Sequence, residues 1–257
     1  MSKQPSIFIV GAGPQIATAV AKLFASNGFS VGLSSRSQDN LEKYKLLLPE
    51  GTRVALAVAD ANDPHSCVKA LESLKSELGA PSAVVYNAGS LSISRPPKNL
   101  IDMSIEDMDQ HMRLNLTSGF AVVQWGVKNV VPDSEGRSAV LITGGGLSLQ
   151  PWAGWSGLAV GKAALIHLAK AFRVEVPDIH VATVIVCGFV DHGDPKYASP
   201  ELAKDYWQLY VQKKEDWTFE VVRSRASSPM LEIQVSASPS SGVVETRWHS
   251  TTIGLMV

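Results

Sequence analysis

Residues 11–21 read GAGPQIATAVA and follow directly on SIFIV at 6–10. A short apolar run that ends in a glycine turn, and a turn that opens an alanine-rich helix, together make the start of a strand–helix unit. Gly11 and Gly13 can take backbone angles closed to other residues and let the chain approach a pyrophosphate, whose charge a helix amino terminus then holds. Gln15 and Ala17 stand where such loops more often carry further glycines. The side chain of Gln15 either narrows the loop or hydrogen-bonds a phosphate, with Ile16 beside it, whereas Ala17 still allows close helix-to-strand packing. A glycine pair alone is weak evidence, but this one lies between a first strand and a first helix, which points to a dinucleotide.

Working outward, Val- and Ile-rich runs alternate with helical patterns: FSVGLSS, TRVALAVAD, SAVVYN, RSAVLITG, IHVATVIV and the weaker WTFEVV are strand candidates. Helices are expected to start near Gln15, Asn40, Pro64, Ser104, Ala153 and Pro200, and Ser104 with Asp107 resembles a capping box. The strands are apolar at successive positions, as when both sheet faces are covered. The fold class is therefore α/β: a Rossmann-like doubly wound parallel sheet of about seven strands in a three-layer α/β/α arrangement. It is expected to span residues 1–222. The Ser- and Pro-rich stretch 223–257 is expected to be a loose tail or an arm.

A net charge of −1 gives no general reason to expect nucleic acid or an anionic membrane as partner. Two isolated cysteines, Cys67 and Cys187, make neither a disulfide framework nor a zinc site. His111, His167 and His180 form no ligand grouping, so no metal is expected. MSKQPS passes straight into the first strand without the apolar stretch of a signal peptide, and no run reaches the length of a membrane span. A cytoplasmic location is the expectation.

The second strand ends in SSRS, with no carboxylate placed to bind both hydroxyls of an adenosine ribose. Arg36 offers a planar, permanently charged fork suited to a ribose phosphate, and Ser35 and Ser37 add hydroxyls, so NADP(H) is favoured over NAD(H). Asp60 and Ala61 close the third strand at a height suited to adenine. Asn87, Ala88 and Gly89 close the fourth as a second small-residue passage.

GAGPQIA, VAD, YNAG, RLNLTSGF with Asn115, LITGGG and GKAALIHLAKAF, in this order over residues 6–222, resemble the landmarks of the short-chain dehydrogenase/reductase family. The resemblance implies one Rossmann-like domain, a nicotinamide cofactor, a small-molecule substrate above the carboxyl ends of the strands, and a homodimer or homotetramer. It also implies that Lys162 binds the nicotinamide ribose and that Asn115 supports a water-mediated proton relay; these two are the candidate catalytic residues. Gly188 and Val190, in CGFV, fall where the family contacts the nicotinamide amide.

Two departures from the family pattern bear on chemistry. Leu158 stands at the family's tyrosine and Gly145 at its serine, and neither side chain donates a proton. Hydride addition to a ketone creates an alkoxide that must be protonated or held. Addition to an iminium cation yields a neutral amine, so no acid is called for. An NADP(H)-dependent reduction of an activated C=N or C=C bond is therefore favoured. A cofactor-retaining non-redox cyclase or isomerase and a catalytically silent NADP-binding protein remain alternatives. The pattern also resembles, distantly, reductase-like enzymes of fungal indole-alkaloid pathways, which suggests secondary metabolism. For substrate contacts, Trp152 and Trp155 are suited to clamp a flat or cationic molecule. Ser148 and Gln150 are candidate substitute donors, and Arg113, Asp191 and Tyr206 are further candidates around the pocket, with Trp207 and Tyr210 beside Tyr206.

Overall fold

A computed structural model describes residues 4–89, 99–191 and 193–224. Of the stretch 223–257 expected as a tail, residues 225–257 lie outside the described residues, as does His192.

All seven strand expectations correspond to strands: β1 Ser6–Val10, β2 Ser30–Ser35, β3 Val54–Val58, β4 Ala83–Tyr86, β5 Ala139–Gly145, β6 His180–Val186 and β7 Glu220–Arg223. They form one sheet in the order β3-β2-β1-β4-β5-β6-β7, with each adjacent pair parallel. β1, β4 and β6 are buried along their whole length, which is why their sequences do not alternate. Phe8 and Val10 of β1 join the core on one face, under α3 (Pro64–Leu78), α5 (Ser118–Asn129) and α6 (Ser156–Glu175). Ile7 and Ile9 join the core on the other, under α1 (Ile16–Ser26), α2 (Gln38–Lys45) and α7 (Ser199–Val211). The order reverses between β1 and β4, and in open sheets of this kind the crevice at the carboxyl ends of those strands is where ligands bind.

The helix starts follow their caps. Ser104 accepts from the Asp107 amide and the Asp107 carboxylate accepts from the Ser104 amide, so the capping box is present and α4 runs Ile105–Met112. α6 begins at Ser156 rather than near Ala153, because Gly154 turns the chain at φ +79° just before it.

Between α4 and α5, residues Arg113–Thr117 form a π-helical turn instead of continuing the α-helix expected from Ser104. Asn115 lies at its centre, fully buried, and its side-chain amide donates to the His111 carbonyl at 3.0 Å, giving that carbonyl a side-chain partner. Single π turns are often found at functional sites.

Candidate functional site

The groove at the switch point has two joined halves. The larger, about 390 Å³, is lined by the glycine turn, Ser35 and Arg36 after β2, Asp60, Ala61 and Asn62 after β3, and Asn87, Ala88 and Gly89 after β4. The second, about 300 Å³, is lined by Gln15, Ile16, Thr143, Gly144, Leu158, Lys162 and Val190. Gly13, Asn87 and Gly89 border both.

The glycine turn is held from below. Gly11 has φ +88°, and a Cβ there would lie 2.5 Å from the Ala88 amide nitrogen, so only glycine passes between β1 and β4. Gly13 has nothing within 4 Å of where its Cβ would be, so the absence of a side chain there leaves open groove. Asn87 donates to the Gly11 carbonyl at 2.9 Å and accepts from Thr143 Oγ1 at 2.8 Å. Thr143 spends its proton on Asn87, so the Tyr206 hydroxyl, 2.6 Å away, donates to Thr143. No side chain caps the amino terminus of α1 and no acidic residue lies in its first turn; the Thr18 and Ala19 amides go to the Gly13 and Gln15 carbonyls, which leaves those of Ile16 and Ala17 for an anion.

Around the larger half, Arg36 is exposed at the edge and Ser35 donates to the Ser37 carbonyl at 3.3 Å. Ser37 itself caps α2 by accepting from the Asn40 amide. One Asp60 oxygen accepts from both the backbone and the side-chain amide of Asn62. The Asn62 side-chain oxygen Oδ1 is buried with no partner, an orphaned acceptor on a residue that lines the groove.

Lys162 projects from a helix face that would ordinarily be core, and it does not reach out to water: it is 7% exposed. Its ammonium donates to the Ala88 carbonyl at 3.0 Å and the Thr143 carbonyl at 3.1 Å. Burial pushes its pKa down to about 8. An ammonium has three protons, so one is left over beyond these two bonds, on a residue that lines the smaller half. A Cβ on Gly89 would sit 3.1 Å from that nitrogen and 3.9 Å from Asn115 Oδ1, which is itself buried without a partner. The π turn thus brings a free acceptor beside a free donor. α6 comes this close because it presents glycines: a Cβ on Gly161 would lie 2.8 Å from Asn115 Cβ, and one on Gly157 would overlap the His111 ring at 2.4 Å. Burial holds that imidazole below its ordinary pKa.

Leu158, one turn before Lys162, is buried and forms part of the wall of the smaller half. Gly145 ends β5 with open space where a side chain would stand.

Several expected contacts are structural instead. Tyr206 is fully buried in the core beneath α7, bonded to Thr143 from below, and does not cover the groove. Tyr210 packs on Phe24 and Phe29 and donates to Asp133, and Trp207 packs edge-on against the same two rings. Asp191 has both carboxylate oxygens on Ser199, one at the backbone amide at 2.7 Å and one at the hydroxyl at 2.5 Å, so it closes a loop at φ +54° rather than facing a ligand. Gly188 is small because the Tyr197 ring lies 2.6 Å from where its Cβ would be, and it borders neither half. Arg113 is exposed on the π turn and also borders neither half. Ser148 turns its hydroxyl back to the Gly145 carbonyl at 2.7 Å. Gln150 is exposed, and Trp155 is half-buried at the start of α6. Thr143, Asn62, Gln110 and Leu114 also line the groove, and no motif in the sequence marks them.

A doubly wound sheet with a two-part groove across its switch point, a glycine turn under one half and a buried lysine under the other, has the architecture of the dinucleotide-binding α/β proteins. The short chain dehydrogenase family matches residues 5–195, and the chain belongs to that family. Among curated relatives, it is 27% identical over 184 residues to oxidoreductase UcpA of Escherichia coli K12, covering 71% of this chain and 68% of that one. It is 33% identical over 181 residues to sepiapterin reductase of Rattus norvegicus, covering 66% and 67%. It is 26% identical over 181 residues to the short chain dehydrogenase/reductase dmxR12 of Cryptosporiopsis, covering 65% and 69%. Among solved structures, a short-chain dehydrogenase of Rhodopseudomonas palustris superposes with a TM-score of 0.73 at 24% identity, covering 85% of this chain and 97% of that one. An alcohol dehydrogenase of Thermococcus sibiricus, complexed with 5-hydroxy-NADP, gives 0.72 at 22%, covering 86% and 99%. No described helix is long and apolar enough to cross a membrane.

Proposed function

We propose that this oxidoreductase binds NADP(H) and reduces an activated double bond, a C=N cation ahead of a conjugated C=C, in a small molecule. The observation that carries the reading is the wall beside Lys162: Leu158 is buried against the groove, and Gly145 leaves open space at the end of β5. No hydroxyl stands at either place. Thr143, whose hydroxyl belongs to that wall, has its proton on Asn87, and Ser148 has its own on the Gly145 carbonyl.

The residues present fit a dinucleotide. The open side of Gly13, the uncapped amino terminus of α1 and the remaining proton of Lys162 would take pyrophosphate and ribose. Arg36, at the edge of the larger half with no carboxylate in SSRS beside it, favours the phosphorylated ribose; the Thermococcus sibiricus protein, bound to an NADP derivative, supports the same preference. Bound NADPH supplies a hydride. What the chain contributes is position: Lys162 orients the ribose, Leu158 excludes water, and no side chain at 145 or 158 moves a proton to the substrate. Hydride added to an iminium carbon leaves a neutral amine, so the missing acid costs that reaction nothing, whereas a ketone would be left with an unprotonated alkoxide.

The test is the loss of NADPH absorbance with matched iminium, enone and simple ketone substrates. Consumption with the iminium and enone but not the ketone is the expected result. Steady absorbance across the whole panel overturns reduction, and turnover of a reactive intermediate without NADPH loss would move the protein to the non-redox class.

A further inference from the structure

The smaller half of the groove is closed by residues from strands that are not neighbours. Gln15 follows β1 and Val190 follows β6, and β4 and β5 lie between those two strands, which therefore stand about 14 Å apart at the usual strand spacing. The ends of β4 and β5 supply Asn87, Gly89, Thr143 and Gly144, which line the same half between them. Across these strand ends the Gln15 amide nitrogen Nε2 donates to the Val190 carbonyl at 3.2 Å, joining two residues that both border the half. Leu158 and Lys162 border it from α6, on the opposite face of the sheet from α1 and α7. A ligand lying on the ends of β4 and β5 thus has α6 on one side and the Gln15–Val190 link on the other.

The link is weak and what it holds is firm. Gln15 is exposed and leaves α1 uncapped to reach Val190, and an exposed bond between neutral groups shifts an equilibrium by only about threefold to tenfold. The loop that carries Val190 is braced on itself. Asp191 holds the Ser199 amide and hydroxyl, the Asp191 amide donates to the Tyr197 carbonyl at 3.0 Å, and the Tyr197 hydroxyl donates to the Cys187 carbonyl at 3.0 Å. Such a loop draws back from the glycine turn as one piece when the bond to Gln15 breaks. The larger half is bordered by neither Gln15 nor Val190.

We infer that Gln15 is a latch on the smaller half. The adenosine end of the dinucleotide docks in the larger half without hindrance, and its reactive end enters the smaller half only while Gln15 has released Val190. The bond then re-forms. This rests on the cofactor reading above and adds an order of entry to it. Because the same bond is made with and without nucleotide, Gln15 governs the rates of entry and exit and leaves affinity alone.

The test measures association and dissociation of NADP⁺ and of adenosine 2′,5′-bisphosphate, which lacks the reactive end, by surface plasmon resonance on the immobilised full-length protein. Gln15→Met keeps the length of the side chain and cannot donate to a carbonyl. It is expected to speed entry and exit of NADP⁺ by the same factor, about threefold, with the dissociation constant and the circular-dichroism melting curve unchanged. Both rates for the bisphosphate should stay as they were. Unchanged NADP⁺ rates, an equal acceleration of the bisphosphate, or weaker NADP⁺ binding with no gain in entry rate overturns the latch while the cofactor reading stands. Unmodified protein that binds neither ligand overturns the cofactor reading and the latch with it.

Discussion

The two halves of the groove are built on opposite terms. The half over the glycine turn is made largely by backbone: Gly11 at a left-handed angle, the Ile16 and Ala17 amides at the start of α1 and the peptide passage at Asn87–Gly89. The half over α6 is made by side chains, and there Leu158 faces Lys162 across one helical turn. Backbone architecture is hard to alter without losing the fold, whereas a side-chain wall changes one residue at a time. Nucleotide binding and proton delivery are therefore separable properties, and substitutions in each half should fail differently.

The largest effect is expected at Gly11. Gly11→Val forces a branched side chain into a left-handed angle and against the Ala88 amide, so NADP(H) affinity should fall by more than about 1,000-fold in a calorimetric titration. Circular dichroism of the same variant separates loss of the groove from loss of the fold. In the other half, the pair Leu158→Tyr and Gly145→Ser should raise turnover of a simple ketone by about 100-fold, the low end of what a positioned general acid contributes. An unchanged rate with nucleotide bound would show that the wall is not where the acid is missing.

Lys162 links the two halves. Lys162→Met removes a charge-assisted donor and leaves two carbonyls unpaired, so affinity should drop about 10- to 100-fold. The same lysine sets a pH dependence. Below pH 8 the ammonium offers three protons, two of them on Ala88 and Thr143. Above it the neutral amine has two, and both are taken. NADP(H) affinity should fall about tenfold as pH rises through about 8, the pKa to which burial lowers this group, and Lys162→Met should flatten the curve. The smallest change is expected at Gln15, whose amide ties the glycine turn to Val190. Gln15→Ala should speed nucleotide release about threefold in stopped-flow measurements, in line with one exposed hydrogen bond.

The elements that repeat a period or carry a cap were legible in the sequence. Seven apolar runs became seven strands, and Ser104 with Asp107 became a capping box. The π turn was not legible, because an extra residue in one turn leaves no periodic trace; it shows only once the Asn115 amide is seen on the His111 carbonyl. Tyr206 and Tyr210 were misplaced for a related reason. An aromatic stripe on a helix reads the same whether it covers a ligand or packs on a sheet, and only the layer beneath α7 decides it. Asp191 looked available because nothing in DHG announces that Ser199, eight residues on, takes both oxygens. Phe189 lay inside a motif noted for its glycine, so its ring drew no notice until Trp152 was found against it.

The run of bonds from Tyr206 through Thr143 and Asn87 to the Gly11 carbonyl has a consequence of its own. Each link fixes the proton of the next, so a phenol deep under α7 is wired to the turn where a phosphate would rest. An anion settling on that turn would polarise the whole row, and the ultraviolet absorption of this one interior tyrosine would report the arrival of nucleotide from within the core.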